Sequence, residues 1–171
     1  MLLESGGWGG IHSYTHALAN GLARGRQDLQ FITNVKYELE DRPCHFQTVR
    51  ILRRENYLIT LWRLVRIFKG YKPDILHIQS FISQRKDLIL FALCRLMGVR
   101  IALTVHNILP HEVRSFDRWV HTGYYCWADA LIIHSNANME SLLEAWPQLA
   151  WEKVHHIPHG NYDEFRDCEL P

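Results

Sequence analysis

The sequence predicts an α/β protein with a Rossmann-like, doubly wound parallel sheet that carries helices on both faces. Short runs rich in isoleucine, leucine and valine recur along the chain, and longer segments with helical spacing separate them. Near-continuous apolar runs are typical of strands buried on both faces, and strand–helix alternation favours right-handed βαβ units. The 171 residues, 47% hydrophobic and 22% charged, suit a single domain covering 1–171.

The elements follow one another in a regular order. Before the first helix only Met1–Leu3 are apolar, so the first strand is expected to be shortened. Gly98 is typical of the residue after a helix, and Pro73 favours a helix end before it. The predicted strands are LQFIT (Leu29–Thr33), VRIL (Val49–Leu52), DILHI (Asp74–Ile78), RIALTV (Arg100–Val105) and ALIIH (Ala130–His134). The predicted helices are Ile11–Arg24, Tyr57–Lys69, Ser83–Met97, Phe116–Ala128 and Asn138–Trp146.

Composition excludes several classes of function. The net charge of +1 argues against a nucleic-acid partner. No apolar run approaches the ~18 residues that span a bilayer, and the start MLLESGG lacks the features of a signal peptide. The four cysteines contain no CxxC pair, which favours reduced thiols and a cytoplasmic location. They are Cys44, Cys94, Cys126 and Cys168.

Eleven histidines raise the question of a metal site. His12 and His16 stand four residues apart, and His155, His156 and His159 cluster near the end of the chain. No HExxH is present, and no carboxylate stands at a spacing that completes a site with either group. Scattered histidines are more often surface or hydrogen-bonding residues, so we expect no metal.

Three predicted strands end in polar side chains. The segments are His77–Phe81, His106–Glu112 and His134–Asn138. In open parallel sheets, ligands bind beyond the carboxyl ends of the strands. We therefore expect the three segments to meet at one rim, where His77 and Gln79 bind substrate.

A glycine cluster precedes the first helix in SGGWGGIHSYTHALANGLA (Ser5–Ala23). Glycine allows close approach of the backbone to a ligand, and a helix start offers N–H groups to an anion. The glycines do not form the GxGxxG dinucleotide fingerprint. The cluster is interpreted as a phosphate- or hydroxyl-binding loop, with a flexible tight turn as the alternative.

Five segments follow one another in a recognisable order: GG-x-x-x-Y, KPDILHIQS, TVHNILPHE, ADALIIHSNANMESL and KVHHIPHGNYDEF. Together they resemble the N-terminal, acceptor-side half of retaining glycosyltransferases of the GT-B fold, family four. The resemblance covers nearly the whole chain, and TVHNILPHE and IPHGNYDEF are its most specific parts.

The resemblance implies roles for individual residues. Gly9 and Gly10 match the loop that approaches the donor diphosphate and the acceptor, and His106 matches a histidine beside the reacting sugar, the catalytic candidate. Its alternative is a histidine merely hydrogen-bonded to a neighbouring carbonyl. Further residues are expected to line the acceptor pocket or cleft: Asn107, His111, Glu112, Ser135 and Asn136. For Glu112, Ser135 and Asn136, helix capping is the alternative.

The implied activity is hexosyl transfer from a nucleotide-sugar to a hydroxyl of a glycan or lipid-linked acceptor, such as a polysaccharide precursor. The resemblance implies no cofactor. It places most of the donor contacts in a C-terminal domain that these residues do not supply, so we expect the chain alone to have little or no transferase activity. The alternatives are a non-catalytic sugar-phosphate-binding or scaffold module and, less favoured by the failed GxGxxG, a dinucleotide-binding oxidoreductase domain.

The stretch Arg50–Lys72 carries seven basic residues and one acidic residue. Within its helix, Thr60, Arg63, Arg66 and Lys69 are predicted to form a narrow polar stripe against a broad apolar arc. This pattern is typical of a helix packed on a sheet with one edge in water. It is also compatible with attachment to an anionic membrane surface, on the inner face of the membrane.

Overall fold

Seven parallel strands form one sheet in the computed structural model, which describes residues 1–25, 27–42, 44–53, 55–108 and 115–160. The strand order is β3-β2-β1-β4-β5-β6-β7, so the direction of winding reverses between β1 and β4. This topology confirms the predicted doubly wound parallel sheet. The strands are β1 (Leu2–Leu3), β2 (Gln30–Asn34), β3 (Gln47–Leu52), β4 (Ile75–Ile78), β5 (Arg100–Thr104), β6 (Ala130–Ile133) and β7 (Val154–His156).

Helices cover both faces of the sheet because successive strand residues point to opposite sides. On one face, Leu2 and Phe31 pack with Ala19 of α1. On the other, Leu3 and Ile32 belong to a larger core to which α2, α3, α4 and α5 contribute. The helices are α1 (Gly9–Arg24), α2 (Tyr57–Tyr71), α3 (Leu88–Leu96), α4 (Ser115–Trp127) and α5 (Asn136–Ala145), with a short 3₁₀ turn at Trp151–Lys153.

The shortened β1 lies at the centre of the sheet. Leu2 pairs with Phe31 of β2 and His77 of β4, and the fully buried Leu3 pairs with Ile32 and Ile78 of the same two strands. Backbone hydrogen bonds extend the pairing beyond the two strand residues, since Glu4 N–H donates to the carbonyl of Ile32 at 3.0 Å. Both edges of β1 are therefore hydrogen-bonded to neighbouring strands.

The helix predicted over Ser83–Met97 begins later, at Leu88. The carboxylate of Asp87 accepts the backbone N–H groups of Ile82 and Ser83, which holds residues 82–87 in turns. At its other end, Gly98 has φ of +71°, as predicted for a residue that follows a helix. Because the Asp87 side chain binds the backbone before it, the helix is shorter than the helical spacing predicted.

One further prediction is wrong, and one strand was not predicted. Thr60 does not belong to a solvent-facing stripe: it is buried, and its hydroxyl donates to the carbonyl of Arg53 at 3.1 Å. The edge strand β7 was not predicted, because only Val154 in it is apolar and its two histidines are exposed. In both cases local polarity was a poor guide to position in the fold.

None of the helices in the described part of the chain has the length and apolarity required to cross a membrane.

The central position of β1 leads to a stability prediction. Leu3→Ala should lower the free energy of unfolding by about 2–5 kcal/mol, because a fully buried leucine loses its packing. Leu96→Ala is the matched control: Leu96 is 83% exposed, and we expect a change within about 0.5 kcal/mol. Urea unfolding of both variants measures the difference, and equal losses would contradict the central role of β1.

Candidate active site

Two adjoining cavities lie at the carboxyl edge of the sheet, where the strand order reverses between β1 and β4. The larger, about 540 Å³, is lined by Gln79, His106 and Asn107 among others. The smaller, about 430 Å³, is lined by the glycine loop. Ile11 and Ser80 line both cavities, so the glycine loop and His106 face a common cleft. This is the position at which open α/β sheets bind ligands.

A buried carboxylate lies beneath the glycine loop. Glu4, directly after β1, accepts the backbone N–H groups of Gly6 and Gly7, the latter at 2.9 Å. It also accepts His12 Nδ1 at 2.7 Å and the Ser80 hydroxyl at 3.1 Å. Burial alone would raise the pKa of Glu4, but the hydrogen bonds from His12 and the two amides outweigh it and lower the pKa. An ionised carboxylate therefore fixes the loop to β1, α1 and the end of β4.

The two halves of the glycine cluster have different physical requirements. Gly7 has φ of +77°, and a Cβ there would lie 2.0 Å from the backbone oxygen of Lys36, so only glycine fits. A Cβ at Gly9 or Gly10 would meet nothing within 4 Å, so the space beside them is open. The amide of Gly9 donates to the exposed carboxylate of Glu38 at 3.1 Å. The start of α1 thus already attracts an anionic group, as expected of a helix N-terminus.

His106 lies just after β5 in a chain of side-chain hydrogen bonds. Its Nε2 lies 3.0 Å from Oε1 of Gln79, whose Nε2 lies 2.9 Å from Nε2 of His77. His77 Nε2 also lies 2.8 Å from the hydroxyl of Thr104. An amide oxygen only accepts, so His106 donates from Nε2 and Nδ1 keeps a lone pair. Gln79 is almost fully buried, which holds the ring of His106 in one orientation.

Both histidines of this network are neutral at pH 7. Burial lowers the pKa of His106 to about 4, with smaller contributions from His134, His159 and His77. Burial likewise lowers the pKa of His77 to about 4. A neutral His106 with a free Nδ1 lone pair can accept a hydrogen bond, or a proton, from a hydroxyl group in the cleft.

Of the remaining predicted site residues, one lines the larger cavity and two lie at the start of α5. Asn107 is exposed and lines the larger cavity. Ser135 caps α5, since its hydroxyl accepts the N–H of Asn138 at 3.2 Å, which is the capping alternative. Asn136 is the exposed first residue of that helix. His111 and Glu112 lie outside the described residues.

Sequence reasoning missed the residues that position the site. Glu4 and His12 form a buried pair. Glu4 precedes the quoted motifs, and His12 stands at a variable position of GG-x-x-x-Y. A carboxylate directly between a strand and a glycine cluster was the available signal, because a buried charge needs donors and glycine amides supply them. Tyr14, the tyrosine of the GG-x-x-x-Y segment, was given no role by the sequence. Its ring packs edge-on against His106, His134 and His159, with centroids 5.9, 5.0 and 4.5 Å away.

Comparison with protein families and solved structures gives a consistent result. The family model described as Glycosyltransferase Family 4 matches residues 8–162. Comparison with curated proteins returned no match. The fold is similar to that of Anabaena HepE in complex with UDP, with a TM-score of 0.68 and 15% identity, covering 94% of this chain and 43% of that chain.

Two other structures show the same likeness. HepE in complex with UDP and glucose has a TM-score of 0.68 and 17% identity, covering 94% of this chain and 44% of that chain. Sucrose-phosphate synthase from Thermosynechococcus elongatus has a TM-score of 0.61 and 20% identity, covering 96% of this chain and 91% of that chain. The chain therefore spans less than half the length of the HepE chain. At these identities the likeness establishes the fold.

The low pKa values of His77 and His106 predict a pH dependence of stability. Between the ordinary histidine value of 6.5 and the folded value of about 4, the unfolded chain binds more protons than the folded chain. The contribution of these two histidines to the free energy of unfolding should therefore be fully present above pH 6.5 and be lost as the pH drops toward 4. His106→Gln removes one of the two histidines, so the free energy of unfolding of the variant should decrease less steeply with falling pH. Urea unfolding across this pH range, with a chelator present, tests this; an unchanged slope in the variant would contradict it.

Proposed function

Because the chain belongs to glycosyltransferase family 4, we propose that it is the acceptor-binding, N-terminal half of a hexosyltransferase. The reaction moves a sugar from a nucleotide-sugar to a hydroxyl of a glycan or lipid-linked acceptor. The observation that carries the proposal is the meeting of the glycine loop and His106 at one cleft, at the reversal of strand order. Either feature alone would be common in Rossmann-like folds.

The two cavities suit two parts of such a reaction. The start of α1, with open space beside Gly9 and Gly10, can receive phosphate oxygens of the donor. The neutral His106 beside it can bind the acceptor hydroxyl or the reacting sugar. HepE was crystallised with UDP, UDP-glucose and glucose, which supports a nucleotide-sugar as the donor.

In the proposed site, each residue either orients a neighbouring group or presents a polar group to the ligand. Gln79 orients His106, His77 supports Gln79, and Asn107 offers an exposed amide to sugar hydroxyls. Glu4 fixes the glycine loop from beneath. His111 and Glu112 remain predicted contributors to the acceptor pocket.

Binding measurements test the acceptor-side role. The purified chain should bind an acceptor mimic such as an alkyl glucoside, and His106→Ala should weaken that binding about fivefold, since a lost hydrogen bond costs about 1 kcal/mol. His156→Ala, an exposed change on β7, is the control and should bind as the parent chain does. Isothermal titration calorimetry with the mimic, UDP and UDP-glucose makes the comparison.

The outcomes separate the proposal from its alternative. Binding of the mimic, weakened only in the His106 variant, supports the acceptor half of a transferase. Binding of neither the mimic nor a nucleotide by a folded chain would favour a non-catalytic scaffold. Binding of the mimic unaffected by His106→Ala would remove His106 from the site.

We further propose that the outer face of α2 attaches the chain to the inner, cytoplasmic face of a membrane, where lipid-linked acceptors lie. Leu58, Ile59 and Trp62 are exposed near the start of the helix, and Arg63, Arg66 and Lys69 are exposed along it. An exposed apolar end beside a basic face is a pattern of surface-bound helices. Arg50, also basic, is instead paired with Glu40 at 2.7 Å and so contributes less to this face.

Charge reversal tests the membrane proposal. Arg63→Glu with Arg66→Glu should reduce co-flotation with vesicles of phosphatidylcholine and phosphatidylserine about tenfold or more, because each basic residue contributes about 1 kcal/mol at an anionic surface. The matched control is Arg95→Glu with Arg100→Glu, two exposed basic residues on α3 and β5. Equal loss in both double variants would mean that net charge, and not this face, governs binding.

A further inference from the structure

Three histidines from distant parts of the chain meet beside the cleft. His106 follows β5, His134 follows β6 and His159 follows β7. One ring nitrogen of each lies within 4.8 Å of the others. The ring centroids are 4.1 Å apart for His134 and His159, 5.5 Å for His106 and His134, and 6.5 Å for His106 and His159.

The proton on His134 is fixed by the backbone. Its Nδ1 lies 2.8 Å from the carbonyl oxygen of Ile157, so Nδ1 carries the proton and donates it. Nε2 then carries a lone pair; it is buried and has no hydrogen-bond partner among the described residues. A buried acceptor without a partner is costly, and such groups call for an explanation. A histidine that donates its other N–H to a backbone carbonyl is the usual state of a metal-ligating imidazole.

His106 is held in an equivalent state. Its Nε2 donates to Gln79 Oε1, which leaves Nδ1 as the unprotonated nitrogen. Tyr14 packs against all three rings and limits their movement.

We propose that His106, His134 and His159 form a three-histidine binding site for zinc or a similar divalent transition metal. On a tetrahedral zinc with Zn–N bonds of about 2.0 Å, two imidazole centroids lie about 5 Å apart. The three observed separations, 4.1, 5.5 and 6.5 Å, lie on either side of this value, so metal binding requires the rings to shift by on the order of 1 Å. His159 is exposed, which leaves the fourth position to water or an anionic ligand.

The metal site is a property beyond the proposed transferase role, but it shares His106 with that role. A metal bound through His106 would occupy the lone pair that the transfer reaction uses, so metal and acceptor would compete for one side chain. Spacing along the sequence could not reveal the site, because its ligands follow three separate strands and come together only when the sheet forms.

Cobalt spectroscopy tests the site without any measure of transfer activity. Added Co²⁺ should give the intense visible absorption of tetrahedral coordination, without the near-ultraviolet bands of thiolate ligation. His159→Ala should weaken the affinity for Co²⁺ and, by calorimetry, for Zn²⁺ at least about tenfold. Because His159 is exposed, this variant should fold normally. His134→Ala should have a similar effect in a folded chain.

Matched controls keep the result specific. His155→Ala and His156→Ala remove exposed histidines from β7 and should leave the affinity unchanged. Affinity that is unchanged by His159→Ala, or reduced equally by the β7 variants, would overturn the site. Absence of visible absorption at saturating Co²⁺ would do the same and would identify the cluster as aromatic packing around Tyr14. Adding a chelator to the acceptor-binding comparison with His106→Ala keeps that test independent of all these outcomes.

Discussion

The buried carboxylate of Glu4 is the interaction on which the arrangement of the cleft depends. It lies directly after the two-residue β1 and joins the glycine loop, His12 of α1 and Ser80 after β4. A charge at this depth is tolerated only when it is fully hydrogen-bonded, so these groups are held together by the cost of leaving it unpaired. Gly7 then brings the loop against the backbone of Lys36, where a larger residue would not fit. The short central strand is thereby fixed at its carboxyl end by side chains as well as by its neighbours.

The topology then brings the other groups to the same edge. All seven strands are parallel, so the residues after β4, β5 and β6 lie at the same edge of the sheet as the loop after β1. Burial keeps His77 and His106 neutral, and the buried amide of Gln79 sets the orientation of His106. The site therefore combines a loop that attracts anions with a neutral imidazole that accepts hydrogen bonds. A sugar diphosphate and a hydroxyl acceptor require these two properties side by side.

Much of the fold could be predicted from the sequence, because continuous apolar runs such as ALII of β6 have few other stable positions than a buried parallel sheet. The helix over residues 83–97 was predicted too long, since periodicity does not show that Asp87 binds the backbone before it. The rim residues Gln79 and His106 could be located from strand ends alone. Glu4 could have been located from its place between a strand and a glycine cluster. The roles of His12 and Tyr14 could not, because they depend on contacts formed only in the folded chain. The strand ends also placed His134 at the rim, but His159 could not be placed there, because β7 was not predicted.

Mapping the bound ligand on the isotopically labelled chain by NMR tests the central claim most directly. Titration with an alkyl glucoside, alone and then with UDP-glucose, should perturb the amide signals of Gly9, Gly10 and Asn107 and the side-chain signals of Gln79 and His106. The signals of the exposed β7 edge, at His155 and His156, should stay in place. Perturbations confined to that edge or to the outer face of α2, with the glycine loop and His106 unchanged, would contradict the assignment of the cleft as the substrate site.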